Sequence, residues 1–242
     1  MSWTDDANFS WPPRVQVAGV SSLAEAMFCR AAGVDALGFT LGLPEGIHDG
    51  LTPEKTRRII GRLPQDVLPV LITYLDDAIE ARRLTVRIGA AAIQFHGGIK
   101  DEQAGIFRAM CPGIRTIGRV TVSGPQALDE AARFRLPLWD AIILDSLDPS
   151  TGRKGATGHV HDWSLSRQIV EASPIPVILA GGLNPENVTR AIREVRPHGV
   201  DAHTGLEEAD GARSLDKIQA FALAARAAFG LPAHPGSPCP LT

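Results

Sequence analysis

Cysteine is scarce in this chain: three occur in 242 residues, Cys29, Cys111 and Cys239. An odd number without close spacing excludes a redox pair or a cysteine zinc site, and reduced thiols in a cytoplasm are expected. An excess of positive charge is also missing. The formal net charge is −3 and the isoelectric point is near 6.2, which leaves no basic stripe for a nucleic acid. Arg57-Arg58 and Arg82-Arg83 read as solvated helix faces. No apolar run is long enough to span a bilayer, and Met1 to Pro13 lacks the basic region and apolar core of an export signal, so no membrane partner is expected. What remains, with 44% hydrophobic and 21% charged residues, suffices for one substantial core.

The apolar residues fall into short runs that alternate with helical segments. Arg14 to Val20 predicts a first strand, followed by a helix capped at Ser21 or Ser22 and ended by Gly33. Strands are then expected at 34–41, 68–74, 91–95, 114–122, 140–144, 175–179 and 199–202. Helices are expected from Thr52-Pro53-Glu54, over 76–88, 101–110, 125–134 and 163–172, from Asn184-Pro185, and over 214–229. Eight strand–helix units of this kind demand parallel pairing and close most naturally into a single-domain α/β (β/α)₈ TIM barrel over residues 14–229. A flexible leader (1–13) and a Pro/Gly-rich flexible tail (230–242) are expected to flank it.

A barrel of this type carries its chemistry at the carboxyl ends of its strands and holds phosphate with the loops after strands seven and eight. After strand seven stands Gly181-Gly182, two residues that leave room for an oxyanion near main-chain N–H groups, followed by Asn184-Pro185 as cap and first turn of a helix. After strand eight stands His203-Thr204-Gly205. Gly181, Gly182, Thr204 and Gly205 are therefore the candidate phosphate ligands. Asp145 ends strand six, where it reads as either a catalytic carboxyl or a loop cap. The loop that follows, 145–162, is long enough to suggest function.

The blocks Gly33-Val34-Asp35-Ala36-Leu37-Gly38-Phe39, Ile93-Gln94-Phe95-His96-Gly97, Ile143-Leu144-Asp145, Gly155-Ala156-Thr157-Gly158, His161-Asp162-Trp163, Leu179 to Val188 and Val195 to Asp201 occur in the order found in one family. The chain resembles the phosphoribosylanthranilate isomerases of tryptophan biosynthesis from Val15 to about Phe229. The resemblance implies an Amadori rearrangement of an aminoribose 5-phosphate, with an acid at the furanose ring oxygen and a base at C2′. It places the acid on Asp145, kept partly protonated by a dry, ligand-filled pocket. It implies a phosphorylated sugar as partner, no cofactor, and a monomer or homodimer.

The chain departs from the family's pattern at four places. Ala18 stands where strand one normally ends in the cysteine base, and none of the three cysteines lies at an equivalent position. Leu43-Pro44-Glu45 to Gly50 replaces a Ser-Pro-Arg element whose arginine clamps the anthranilate carboxylate. His203 replaces a small hydroxyl residue, and His159 a lysine. A relocated base at His48, Asp49 or His203 is one reading; a phosphosugar-binding or regulatory protein without catalysis is the other. Gln94, His96 and Arg119 are candidate substrate contacts, with local hydrogen bonding for His96 and a surface salt bridge for Arg119 as the plain alternatives. Lys154 could bring a mobile charge over the ligand. His161 and His198 read as structural. A metal at His48, Asp49, His96 and His203 is not expected, because no close-spaced ligand pair supports it.

Overall fold

The computed structural model describes residues 11–43, 51–146 and 162–232. Strands and helices alternate: β1 (Val15–Val17), α1 (Leu23–Ala32), β2 (Ala36–Leu41), α2 (Pro53–Ile60), β3 (Leu68–Thr73), α3 (Ala78–Ile88), β4 (Ala92–Phe95) and α4 (Asp101–Met110). The second half continues with β5 (Arg115–Val122), α5 (Gln126–Ala132), β6 (Ala141–Ser146), α6 (Trp163–Ala172), β7 (Val177–Leu179), α7 (Val188–Val195), β8 (Gly199–Ala202) and α8 (Leu215–Ala228). All neighbouring strands pair in parallel, and β1 closes on β8 through Val15↔Val200, Gln16↔Asp201 and Val17↔Ala202. The expected (β/α)₈ barrel is the observed fold.

Local chemistry explains most boundaries. Side chains of Ser22, Thr52, Asp77, Asp162 and Ser214 accept hydrogen bonds from the first turns of α1, α2, α3, α6 and α8, satisfying donors that a helix start leaves unpaired. Gly33 ends α1 in the left-handed region at φ 93°, as a C-terminal glycine should. One expectation fails. Asn184 does not cap α7; its Oδ1 instead accepts from Glu186 N (3.1 Å) and Asn187 N (2.9 Å), so Asn184-Pro185 opens a tight turn, and Asn187 stands at the true N-cap. An Asn side chain that can bond its own backbone two residues on competes with helix initiation.

Alternation along each strand divides the core in two. Outward side chains such as Val15, Leu37, Leu71, Ile93 and Leu144 pack under the helices. Inward ones, among them Ala36, Leu68, Val70, Ala92, Ile117, Ala141, Ile143 and Ile178, fill the barrel interior. Trp11, within the expected leader, packs against this interior cluster and lies over the Arg115 guanidinium at 5.6 Å. Towards the carboxyl ends the inward positions turn polar: Gln16, Gln94, Arg119, Asp145 and Asp201 are all buried there. No helix among the described residues is long and apolar enough to cross a membrane.

Candidate active site at the barrel mouth

Asp145 is the next-to-last residue of β6 and is 3% exposed. Its Oδ2 lies 3.2 Å from His96 Nε2, and its Oδ1 accepts from Ser146 N at 2.8 Å. The chain of contacts runs on into the barrel. Gln16 Nε2 donates to Gln94 Oε1 (3.1 Å), which turns Gln94 Nε2 towards His96 Nδ1 at 3.0 Å. With the amide so oriented, Nδ1 accepts and the ring's proton sits on Nε2, aimed at Asp145. Tyr74 packs edge-on against the same ring, centroids 5.3 Å apart.

Burial alone pushes the Asp145 carboxyl upward, but the His96 hydrogen bond and charge, the Ser146 N–H and the Arg119 guanidinium outweigh it and hold the group below the usual carboxylate range. Desolvation, which would favour a protonated Asp145, loses here to donors that favour the charged form.

A second buried carboxylate faces the same cavity. Asp201, on β8, is 7% exposed, and among the described residues its Oδ1 has no hydrogen-bond partner. Burial pushes it up, the Asp145 charge adds to that, and Gln16 and Arg213 pull the other way, leaving it at about 7. Ala18 lines the cavity beside it, its N–H bonded to Ala202 O at 3.0 Å and its carbonyl to Arg213 Nη2 at 2.8 Å.

His203 lies against Gly19, where an added Cβ would come within 2.3 Å of its Nε2. That nitrogen is 3.4 Å from Glu207 Oε1, and Glu207 in turn approaches Arg213, which pairs with Glu25 at 3.0 Å. A carboxylate only accepts, so this contact favours a proton on His203 Nε2.

The loops after β7 and β8 also line the cavity. Gly181 and Gly182 have φ of 81° and 68°, which other residues rarely adopt. Asn187 ties this loop by donating to Gly182 O (2.8 Å) and accepting from Asn184 N (2.9 Å). Thr204–Leu206 form one 3₁₀ turn, an element without a sequence signal of its own. Its backbone bonding begins at Leu206 N, so the N–H groups of Thr204 and Gly205 stand at its open start. A Cβ on Gly205 would lie 2.0 Å from Leu183 O, so the two glycine loops touch only because that side chain is absent.

The cavity walls thus bring together Gln94, His96, Asp145, His203, Gly181, Gly182, Thr204 and Gly205. Arg119 is not among them. It is buried one inward layer below Asp145, with Nη1 donating to Thr121 Oγ1 at 2.7 Å, so it is neither a surface salt bridge nor a wall residue. His198 accepts from Val177 N at 3.2 Å, a structural tie. His48, Asp49, Lys154, His159 and His161 lie outside the described residues. Among the described residues no three His, Cys, Asp or Glu side chains group as metal ligands. Sequence reasoning missed Asp201, Gln16 and Tyr74. The signal for Asp201 was an acidic residue at an inward position of a short, otherwise apolar strand.

Parallel strand order, closed barrel and a polar cavity at the carboxyl ends define the class, a (β/α)₈-barrel protein with a buried histidine–carboxylate pair at its mouth. The chain belongs to the N-(5′-phosphoribosyl)anthranilate (PRA) isomerase family, whose model matches residues 48–224. That match begins after β2, so the segments holding Ala18 and Leu43 fall outside it. Among named relatives, N-(5′-phosphoribosyl)anthranilate isomerase 2 of Methanosarcina mazei is 38% identical over 86% of this chain and 92% of its own length. The isomerase of Haloferax volcanii is 36% identical over 90% and 95%. The solved phosphoribosyl anthranilate isomerase of Thermotoga maritima superposes with a TM-score of 0.76 at 31% identity, covering 90% of this chain and 99% of that one. A structure of the same kind of enzyme, in complex with reduced 1-(o-carboxyphenylamino)-1-deoxyribulose 5-phosphate, gives 0.74 at 29% identity, covering 90% and 99%.

Proposed function

We propose that this chain isomerises a phosphorylated aminoribose, with N-(5′-phosphoribosyl)anthranilate as the first substrate to test, to the corresponding 1-amino-1-deoxyribulose phosphate by general acid–base catalysis. The observation that carries this reading is the buried His96–Asp145 pair, 3.2 Å apart, facing a cavity that two glycine loops also line. In this reading Gly181, Gly182, Thr204 and Gly205 hold the phosphate with main-chain N–H groups and the Thr204 hydroxyl. Asp145 enters the reaction protonated and gives that proton to the furanose ring oxygen, the His96 Nε2–H then steadying the carboxylate that is left. The C1′–O bond then breaks, and the nitrogen lone pair forms a C1′ iminium. Removal of the C2′ proton gives an enolamine; protonation at C1′ and return of the C2′ hydroxyl proton to Asp145 then give the ketone, an isomerisation with no net gain or loss of protons or electrons. Gln94 holds His96 in the tautomer this requires.

Names and overall similarity of the relatives support N-(5′-phosphoribosyl)anthranilate as substrate. Leu43-Pro44-Glu45 in place of an arginine-bearing segment favours weak affinity for the anthranilate carboxylate, so the Michaelis constant is expected to be high. The test is turnover of that substrate by the purified protein beside Asp145→Asn. Wild-type turnover reduced by about 10²–10⁴ in the variant is expected. Product formation unaffected by Asp145→Asn would overturn the acid assignment. Saturable binding of substrate without product would favour the alternative of a phosphosugar-binding protein, a reading that Ala18 at the usual base position motivates.

A further inference from the structure

The reaction needs a group to take the C2′ proton, and Ala18, on the strand where the family's cysteine is expected, cannot. We propose that Asp201 is the general base of this chain. The inference rests on the isomerase reading above and assigns a role to a residue that reading leaves unused. Three observations carry it. Asp201 lines the same cavity as Asp145. It lies on β8, directly beside β1, in register with Gln16 and two residues from the Ala18 position. Among the described residues its buried Oδ1 has no hydrogen-bond partner, which leaves a lone pair open to accept a proton.

The contrast with the neighbouring groups sets the direction of transfer. Asp145 accepts from the His96 Nε2–H and the Ser146 N–H, whereas Asp201 Oδ1 has no donor among the described residues. The groups that act on Asp201 are Asp145 from β6, Arg213 from the segment before α8 and the uncharged Gln16 from β1. His203, two residues along, presents its Nε2 to Glu207 instead. Burial and the Asp145 charge bring Asp201 to about 7, a value at which it is substantially ionised near neutrality and far more basic than an ordinary carboxylate. In the step itself, a carboxylate oxygen of Asp201 takes the C2′ proton. The C2′–H electron pair becomes the C1′=C2′ bond and the iminium electrons return to nitrogen. The proton held on Asp201 is then delivered to C1′, while the C2′ hydroxyl becomes the ketone and returns its proton to the Asp145 carboxylate.

The test is steady-state kinetics of wild type, Asp201→Asn and Asp201→Glu on N-(5′-phosphoribosyl)anthranilate between pH 5.5 and 9, at roughly unit steps around the neutral value a base requires, with substrate carrying protium or deuterium at C2′. Thermal melts of all three proteins, with and without inorganic phosphate, verify that the fold and the phosphate loops survive. Expected is a wild-type kcat that rises with pH through about 7. Asp201→Asn should lower kcat by about 10²–10⁴ with KM changed less than roughly threefold, and Asp201→Glu should partly restore it. An isotope effect on kcat that grows in the glutamate variant is the signature a merely positional role would not give. The inference is overturned if a folded Asp201→Asn keeps kcat within roughly tenfold of wild type, or if wild-type activity falls rather than rises through that range, which would make Asp201 a proton donor. Complete inactivity of the wild type would overturn the isomerase reading and this inference with it, whereas an active, unimpaired Asp201→Asn overturns this inference alone.

Discussion

Asp145 and Asp201 are carboxylates of the same cavity driven in opposite directions by their surroundings: donors surround the first, and a dry wall with a neighbouring negative charge surrounds the second. The consequence for stability follows from linkage. Asp201 has a folded value near 7, above its ordinary 3.8, so its contribution is fully present below about pH 3.8 and is lost as pH rises through about 7. Asp201→Asn removes that pH dependence. The variant should therefore melt above wild type at pH 8, at about 2–4 °C for each kcal/mol gained in a barrel of this size, with the difference shrinking towards pH 5. Paired melts across that range check it; a variant that melts lower at pH 8 would contradict the assigned burial cost. Asp145 was legible in the sequence because it ends an apolar strand. The ionisation of the pair was not, since it depends on His96 and Ser146, brought to it by β4 and by the chain's own next residue.

At the level of elements, caps and glycines made the helices and strands readable: Ser22, Thr52, Asp77 and Gly33 mark starts and stops through local hydrogen bonds. Asn184-Pro185 misled for an equally local reason, because the Asn side chain closes a turn that ends at Asn187, just ahead of α7. The 3₁₀ turn at Thr204–Leu206 had no such signal; it exists because Gly205 lets it pack against the Leu183 carbonyl. Gly205→Ala should therefore part the two loops and weaken inorganic phosphate binding by about tenfold or more, at a cost of about 1–3 kcal/mol in stability. Calorimetric titration with inorganic phosphate checks it, and an unchanged affinity would remove Gly205 from the phosphate cradle. Gly181→Ala is expected to behave alike, since φ of 81° strains any other residue and its Cβ would meet Ser146.

Across the whole molecule, stability and chemistry sit at opposite ends of the barrel. At the end where strands begin, buried Asp140 accepts from Arg108 Nη1 (2.5 Å) and Thr116 N (2.8 Å) and pairs with Arg115 (3.3 Å). Burial would raise its carboxyl, yet these partners hold it below the usual range, so this stabilisation is present above about pH 3.8 and is lost as pH falls through the depressed value. Asp140→Ala should cost about 3–5 kcal/mol while leaving kcat of the surviving folded protein within roughly twofold; chemical denaturation beside a turnover assay separates the two. The barrel itself was legible because eight strand–helix repeats allow few closures. Its polar interior was not: Gln16, Gln94 and Asp201 meet only once β1, β4 and β8 curve round a common axis. The central claim is proton-transfer isomerisation at that mouth. Its most direct test is turnover of N-(5′-phosphoribosyl)anthranilate by the wild-type protein as a function of pH. Measurable kcat that climbs through about pH 7 is expected; saturable binding with no product at any pH would contradict it.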